Sequence, residues 1–293
     1  MRRSVTLVSV FLAAFALMRA DALGWGSAVH IYVGHQLSVK SGQKDIDQMY
    51  GSVAPDIFNF EFAQPALTFA EITHTDWMAV RQATRGQLQN ALAYGFTAHN
   101  LADYTAHNSG QTFGQGVGYV IEKAEMLGLY YPLPDALGLP EDVKAILYHT
   151  FIEVGVDILM KRMDPEIAAR MFAAASGRSD VFPGLLGKAY AKTFAGIMGV
   201  DETTAGLVIA GYENWFRTEY CYGYALSLDG TEVEAIGNMA VLLAGLAEGF
   251  LGSVPPGVDL EAVIAQYLMA SMYLCQDDFA AEIQATLLYC DSR

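Results

Sequence analysis

Apolar residues recur every three or four positions through most of the chain, the spacing of a helix with one buried face. Ala28 to Lys40, Trp77 to Ala91, Ala91 to His107 and Glu141 to Met163 all carry this pattern. In the second half it continues through Pro165 to Ala175, Glu202 to Tyr220, Thr231 to Leu251 and Leu260 to Leu288. Pro140, followed by Glu141 and Asp142, marks a helix start, with acids at the positive end of the helix. Pro183–Gly184, Asp229–Gly230 and Pro255–Pro256–Gly257 punctuate the pattern. No turn dipeptide is flanked by alternating apolar runs, and no repeat or low-complexity linker interrupts the chain. The expected fold is therefore all-α, one domain of many helices.

Composition agrees. The chain has 293 residues, 53% hydrophobic and 17% charged, which excludes a disordered or coiled-coil protein. It holds 17 Lys plus Arg against 32 Asp plus Glu, a net charge of −15. That balance lacks the basic footprint of a non-specific nucleic-acid binder or a polybasic lipid patch.

The N-terminus reads as a cleaved leader over residues 1–24. Arg2 and Arg3 precede an apolar run from Ser4 to Met18, too short for a membrane span, and small residues follow at Ala20, Ala22 and Gly24. Cleavage after Ala22 or after Gly24 satisfies the small-residue rule, and the second leaves Trp25 first. The mature domain, 25–293, is then expected to be secreted or periplasmic. Its charge is −17, because the leader removes three arginines and one aspartate. Export permits disulfides, and Cys221, Cys275 and Cys290 allow one bridge.

All six histidines lie between positions 30 and 149. His99, Asp103 and His107 are spaced by four, so each step drifts only about 40° around a helix and the three share a face. His149 and Glu153 repeat the spacing. Imidazole nitrogen and carboxylate oxygen are ligands suited to zinc, and two such helices facing each other make a metal pocket. Asp56 follows Pro55 in what reads as a loop after Gly51. His74 lies just before the helix at Trp77, and His30 lies five residues after Trp25. Each pair alone also fits an ordinary surface hydrogen bond or turn. His35 remains outside the set and is expected in a buried hydrogen bond.

The ordered set Trp25, His30, Asp56, His74, His99, Asp103, His107, His149 and Glu153 resembles the zinc-dependent phospholipase C superfamily, which includes the single-strand-specific fungal nucleases. The resemblance covers about residues 25–160, with 161–293 as helical support. The His-x3-Asp-x3-His spacing is shorter by two than in the bacterial phospholipases C. It is closest to the catalytic domain of glycosylphosphatidylinositol-specific phospholipase D, although Trp25 follows the phospholipase C pattern.

The resemblance implies the all-α phospholipase C/nuclease fold and three zinc ions per chain. One ion would be held by Asp56, His74, His99 and Asp103, and a second by His107, His149 and Glu153. The third would be held by Asp103, His30 and the α-amino and carbonyl groups of Trp25, so that leader cleavage and metal loading are coupled. Asp56 is the candidate catalytic residue, orienting or deprotonating a water, and Asp76 and Asp157 are candidates to support the ligand imidazoles. The implied activity is hydrolysis of a phospholipid or another phosphodiester, with transient contact to a membrane surface and no obligate protein partner. Phe58, Phe60, Phe62, Phe69, Trp77, Phe96 and Tyr104 are expected to line a lipid-facing cleft or to pack as core. A single-strand nuclease on the same ligands, disfavoured by the acidic charge, and a non-catalytic zinc protein are the alternatives.

Overall fold

Helix α1 (Ser27–Ser41) enters the protein without a capping side chain of its own, because its N-cap is Gly26. It leads into α2 (Asp45–Gly51) and a 3-10 turn, Ala54–Phe58, started by Pro55. Helices α3 (Ala66–Thr75), α4 (Met78–Ala83), α5 (Gln87–Asn108), α6 (Tyr119–Tyr130) and α7 (Glu141–Leu159) complete the first half. The second half contributes α8 (Ile167–Gly177), α9 (Phe182–Met198) and α10 (Glu202–Trp215). A π-helical stretch, Phe216–Cys221, joins α10 to α11 (Tyr222–Leu228). Then follow α12 (Glu232–Leu251), α13 (Leu260–Cys275) and α14 (Phe279–Asp291). This computed structural model describes residues 24–42, 45–59, 65–110, 114–115, 118–251 and 257–293, so the leader reading and Phe60 and Phe62 lie outside the described residues, Gly24 apart.

The fold is all-α. Among the described residues the one strand pairing is a two-residue ladder, β1 (Ser109–Gly110) with β2 (Gly114–Gln115). Helix α5 is the central element: α1, α2, α4, α6 and α14 all pack on it. Helix α7 lies against α6 and α13, and α9 pairs with α10. No described helix is long and apolar enough to cross a membrane.

Several expected helices are divided. The run from Trp77 to Ala91 breaks at Thr84–Gly86, between α4 and α5. Leu260 to Leu288 breaks at Gln276–Asp278, where Tyr119 and Lys123 both bond to the Asp278 carboxylate. Glu202 to Tyr220 loosens into the π-helical stretch. Pro183 begins α9 rather than interrupting the chain, as a proline in the first turn can. The segment 51–56 is not a plain loop, because Asp56 sits inside the 3-10 turn. His74 belongs to the last turn of α3 rather than to a connection.

The aromatic expectation resolves toward core at three positions, whereas Tyr104 is half exposed and Trp77 only partly buried. Phe58, Phe69 and Phe96 are fully buried. Phe69 stacks on Phe194 with ring centroids 3.7 Å apart, and Phe58 packs edge-on against Phe69, Phe194 and Tyr212. These rings fix α3 and the 3-10 turn on the α9–α10 pair, which sets the position of Asp56 and His74. They do not line a cleft. All three cysteines are free and buried, so the one bridge that the count allows is not formed.

Candidate metal centre

Helix α5 carries His99 and Asp103 on its buried face, as the four-residue spacing requires. Asp103 Oδ2 lies 2.9 Å from His99 Nε2, and its Oδ1 lies 3.0 Å from His30 Nε2. The backbone N–H of Trp25 donates to the same Oδ1 at 3.1 Å. His74 comes in from the end of α3, with Nε2 3.2 Å from His99 Nε2 and 3.4 Å from Asp56 Oδ1. Asp56 Oδ1 is 3.6 Å from His99 Nε2. Two triads, His30–Asp56–His99 and His74–His99–Asp103, offer one ligand atom each, with all three atoms within 4.8 Å of one another.

The tautomers make this arrangement informative. His99 Nδ1 lies 2.9 Å from the Ser52 carbonyl oxygen, and His74 Nδ1 lies 2.7 Å from that of Ala70. A carbonyl oxygen only accepts, so both Nδ1 atoms carry hydrogen and a neutral ring leaves Nε2 bare. Two bare nitrogens then face each other, and His99 also faces a carboxylate. Lone pairs at such distances repel unless positive charge lies between them. A proton relieves one of these contacts, whereas a divalent ion relieves them together. The second nitrogen of each ring is held by a carbonyl, the usual support for a metal-binding imidazole.

His30 is fully buried, and neither of its ring nitrogens makes a hydrogen bond despite the proximity of Asp103. Its ring stacks on His99 with centroids 3.9 Å apart. Buried polar atoms ordinarily find partners, so a nitrogen aimed at a carboxylate without a bond fits a ligand position.

The second group forms beside the first. His107 Nε2 lies 3.5 Å from His149 Nε2, and His149 Nε2 lies 3.0 Å from Glu153 Oε1, which is itself without a hydrogen bond. Gly24 packs so closely that a Cβ there would fall 1.8 Å from Asp103 Oδ1. Its backbone also hydrogen-bonds both His149 and Glu153. The nine expected residues thus fall into two neighbouring groups, of which only the first forms ligand triads within 4.8 Å among the described residues, and the Gly24–Trp25 peptide lies between them.

Electrostatics follow from burial. Burial pushes His149 down to about 4, against the charge of Asp103 and the Gly24 backbone. Burial, with the charges of Asp103 and Asp56, pushes the Glu153 carboxyl up. Asp103 is also opposed by burial, yet His99 and His30 hold it well below the usual carboxylate range.

The two aspartates expected to support imidazoles behave differently. Asp76 is exposed beyond the end of α3 and does not support an imidazole; its carbonyl accepts from Tyr190 Oη. Asp157 is fully buried but bonds no imidazole. It takes the backbone N–H groups of Ala28 and Val29 at the start of α1. His35 bonds the Asp45 carboxylate, partly buried, as expected.

Sequence reading missed the Ser52 and Ala70 carbonyls, and Asn59, whose Nδ2 donates to Asp56 Oδ1 at 2.6 Å. Ala70 was findable, since residue i−4 lies over His74 on a helix. Ser52 was not, because it reaches His99 from another element. The ligand set is nitrogen and oxygen only, in numbers that suit zinc. No family model, no curated protein and no solved structure matches the chain, so the family resemblance rests on these residues alone.

Proposed function

We propose that this protein is a zinc-dependent phosphodiesterase acting on phospholipids. The observation that carries the reading is the pair of carbonyl-anchored imidazoles, His74 and His99, whose bare Nε2 atoms meet 3.2 Å apart beside Asp56 and Asp103. Zinc, when bound, supplies a water acidic enough to be hydroxide near neutrality and neutralises charge on a phosphoryl group.

The chain's own residues do the rest. Asp56 stands at the edge of the cluster, its side chain 15% exposed, and the Asn59 amide turns it by bonding Oδ1. In this reading it receives the proton of an attacking water or serves as a ligand. Ser52 and Ala70 hold two imidazoles in the tautomer that ligation needs. Burial of His30, His99 and Asp103 keeps water from competing for their lone pairs.

The acidic chain supports a lipid over a nucleic acid. A net charge of −15 repels a long polyanion at a distance, whereas a single phosphodiester meets the local charge of the metals.

The test uses zinc-loaded protein on defined phospholipid vesicles, with release of diacylglycerol, phosphatidate and head group followed separately. Turnover that disappears on chelation and returns with zinc is expected. Turnover of single-stranded DNA or RNA but not lipid would replace the substrate class. Full zinc occupancy with no phosphodiester cleaved would leave a non-catalytic zinc protein.

A further inference from the structure

Helix α1 brings Trp25 and His30 to Asp103, yet nothing in its own sequence caps it. Its first N–H groups would be unsatisfied donors in the protein interior. Asp157, 129 residues away on α7, takes two of them: Oδ2 accepts from Ala28 N at 2.9 Å and Oδ1 from Val29 N at 3.0 Å. Tyr224 Oη donates to the same Oδ2 at 2.7 Å. Ser27 Oγ meets Tyr220 Oη at 3.0 Å. The approach is so close that a Cβ on Gly26 would fall 2.4 Å from Asp157 Oδ2. All these side chains are buried.

Tyr220 lies near the end of the π-helical stretch and Tyr224 lies one turn beyond, on α11. Single π-helical turns recur at functional places because they re-aim side chains without ending a helix. Here the stretch presents two phenols, four residues apart, to the start of α1.

His30 differs from the other imidazoles in a way that makes this contact matter. His74 and His99 are oriented by carbonyls at Nδ1, whereas His30 Nδ1 has no partner. Its direction is set by its backbone and its stack on His99. The backbone is set in turn by the contacts at the helix start and by Ser52 Oγ on the His30 carbonyl.

We propose that Asp157, Tyr220 and Tyr224 are positioning residues that seat the start of α1 and so aim Trp25 and His30 at Asp103. The second half of the chain, which supplies none of the nine expected ligands, thereby acts on the proposed metal centre through two phenols. The seat rests on the proposed zinc reading only for its metal readout; its effect on α1 does not need metal.

The test compares the full chain with Asp157→Asn, Tyr224→Phe and Tyr220→Phe. Asn at 157 must set an amide nitrogen against a backbone N–H, and each Phe deletes one hydroxyl. In metal-free protein, amide exchange at Ala28 and Val29 is expected to rise about 10-fold or more, with Phe96 in α5 unchanged. On zinc titration, one bound ion is expected to weaken by about 10- to 100-fold and the others to stay within about two-fold. Unchanged exchange at Ala28 and Val29 would overturn the seat. So would an equal rise at Phe96, which marks a general loss of stability, or equal weakening of every ion. Tyr220→Phe, the mildest change, keeps the test open if the other variants fail to fold. Wild-type protein that takes up no zinc would sink the function reading, while amide exchange would still decide the seat.

Discussion

Two buried carboxylates show the difference between the halves of this molecule. Glu213, on α10, is 1% exposed and fully answered: Arg178 grips it with Nε at 2.7 Å and Nη2 at 2.9 Å, and Tyr50 Oη donates at 2.7 Å. Asp103, on α5, is 5% exposed and accepts from the Trp25 N–H, yet its Oδ2 faces His99 Nε2, which a neutral ring leaves bare. Both carboxylates are out of water, where an uncompensated charge is costly. One is balanced by the protein itself. On the proposed reading the other is balanced by a bound metal ion. Burial alone therefore does not mark a functional acid; an unanswered neighbourhood does.

The strongest way to break that comparison is to remove a ligand. His99→Ala should abolish phosphodiester turnover and the stabilisation that zinc confers. Without metal it should cost about 2–3 kcal/mol, because relief of the facing lone pairs offsets only part of the cavity and the lost bond to Ser52. Chelator-treated and zinc-loaded melting curves of both proteins check this. A large loss in the metal-free state would make His99 a structural residue.

Arg178→Met should act oppositely. It strands Glu213 in the interior, and a broken buried pair costs about 3–5 kcal/mol. Denaturant unfolding should show that loss with and without zinc, while metal stoichiometry stays at the wild-type value. A loss of zinc in this variant would join the two clusters into one.

The same contrast explains what was legible in the sequence. His99, Asp103, His149 and Glu153 were readable because ligand and helix share a four-residue step, and one helix suffices to place each pair. Asp157 is also at that step from Glu153, yet its partners are amide groups on another helix, and no spacing announces a contact 129 residues long. The divided helices failed for a related reason. An apolar period runs through Trp77 to Ala91 and through Leu260 to Leu288, but tertiary bonds, such as those of Tyr119 and Lys123 to Asp278, accompany the break. Phe58, Phe69 and Phe96 carry the same composition as a lipid cleft, and only their packing identifies them as core.

Zinc itself gives a middle-sized effect. At free zinc about 100-fold above its dissociation constant, a single site binding only the folded state adds about 2.7 kcal/mol. Thermal unfolding with increasing zinc should show this rise in the wild-type chain and in Arg178→Met, but not in His99→Ala. Equal rises in all three would mean that the metal binds elsewhere.

The smallest expected effect is none at all, and it concerns the thiols. Cys221, Cys275 and Cys290 all lie in the half without histidines, buried and free. Burial pushes the Cys275 and Cys290 thiols up to about 12, and the Cys221 thiol also rises. Because a thiol reacts as thiolate, a pKa near 12 leaves about one molecule in 10⁴ reactive at pH 8. A disulfide-exchange reagent should therefore label no cysteine of the folded protein rapidly at pH 8, and three after unfolding in denaturant. Zinc should leave that pattern unchanged, because the proposed reading gives the ion to the nitrogen and oxygen cluster in the other half. Fewer than three thiols after unfolding would reveal a disulfide. Rapid labelling of the folded, metal-free chain that zinc suppresses would assign the metal to sulfur, and the contrast between the halves would then fail at its simplest point.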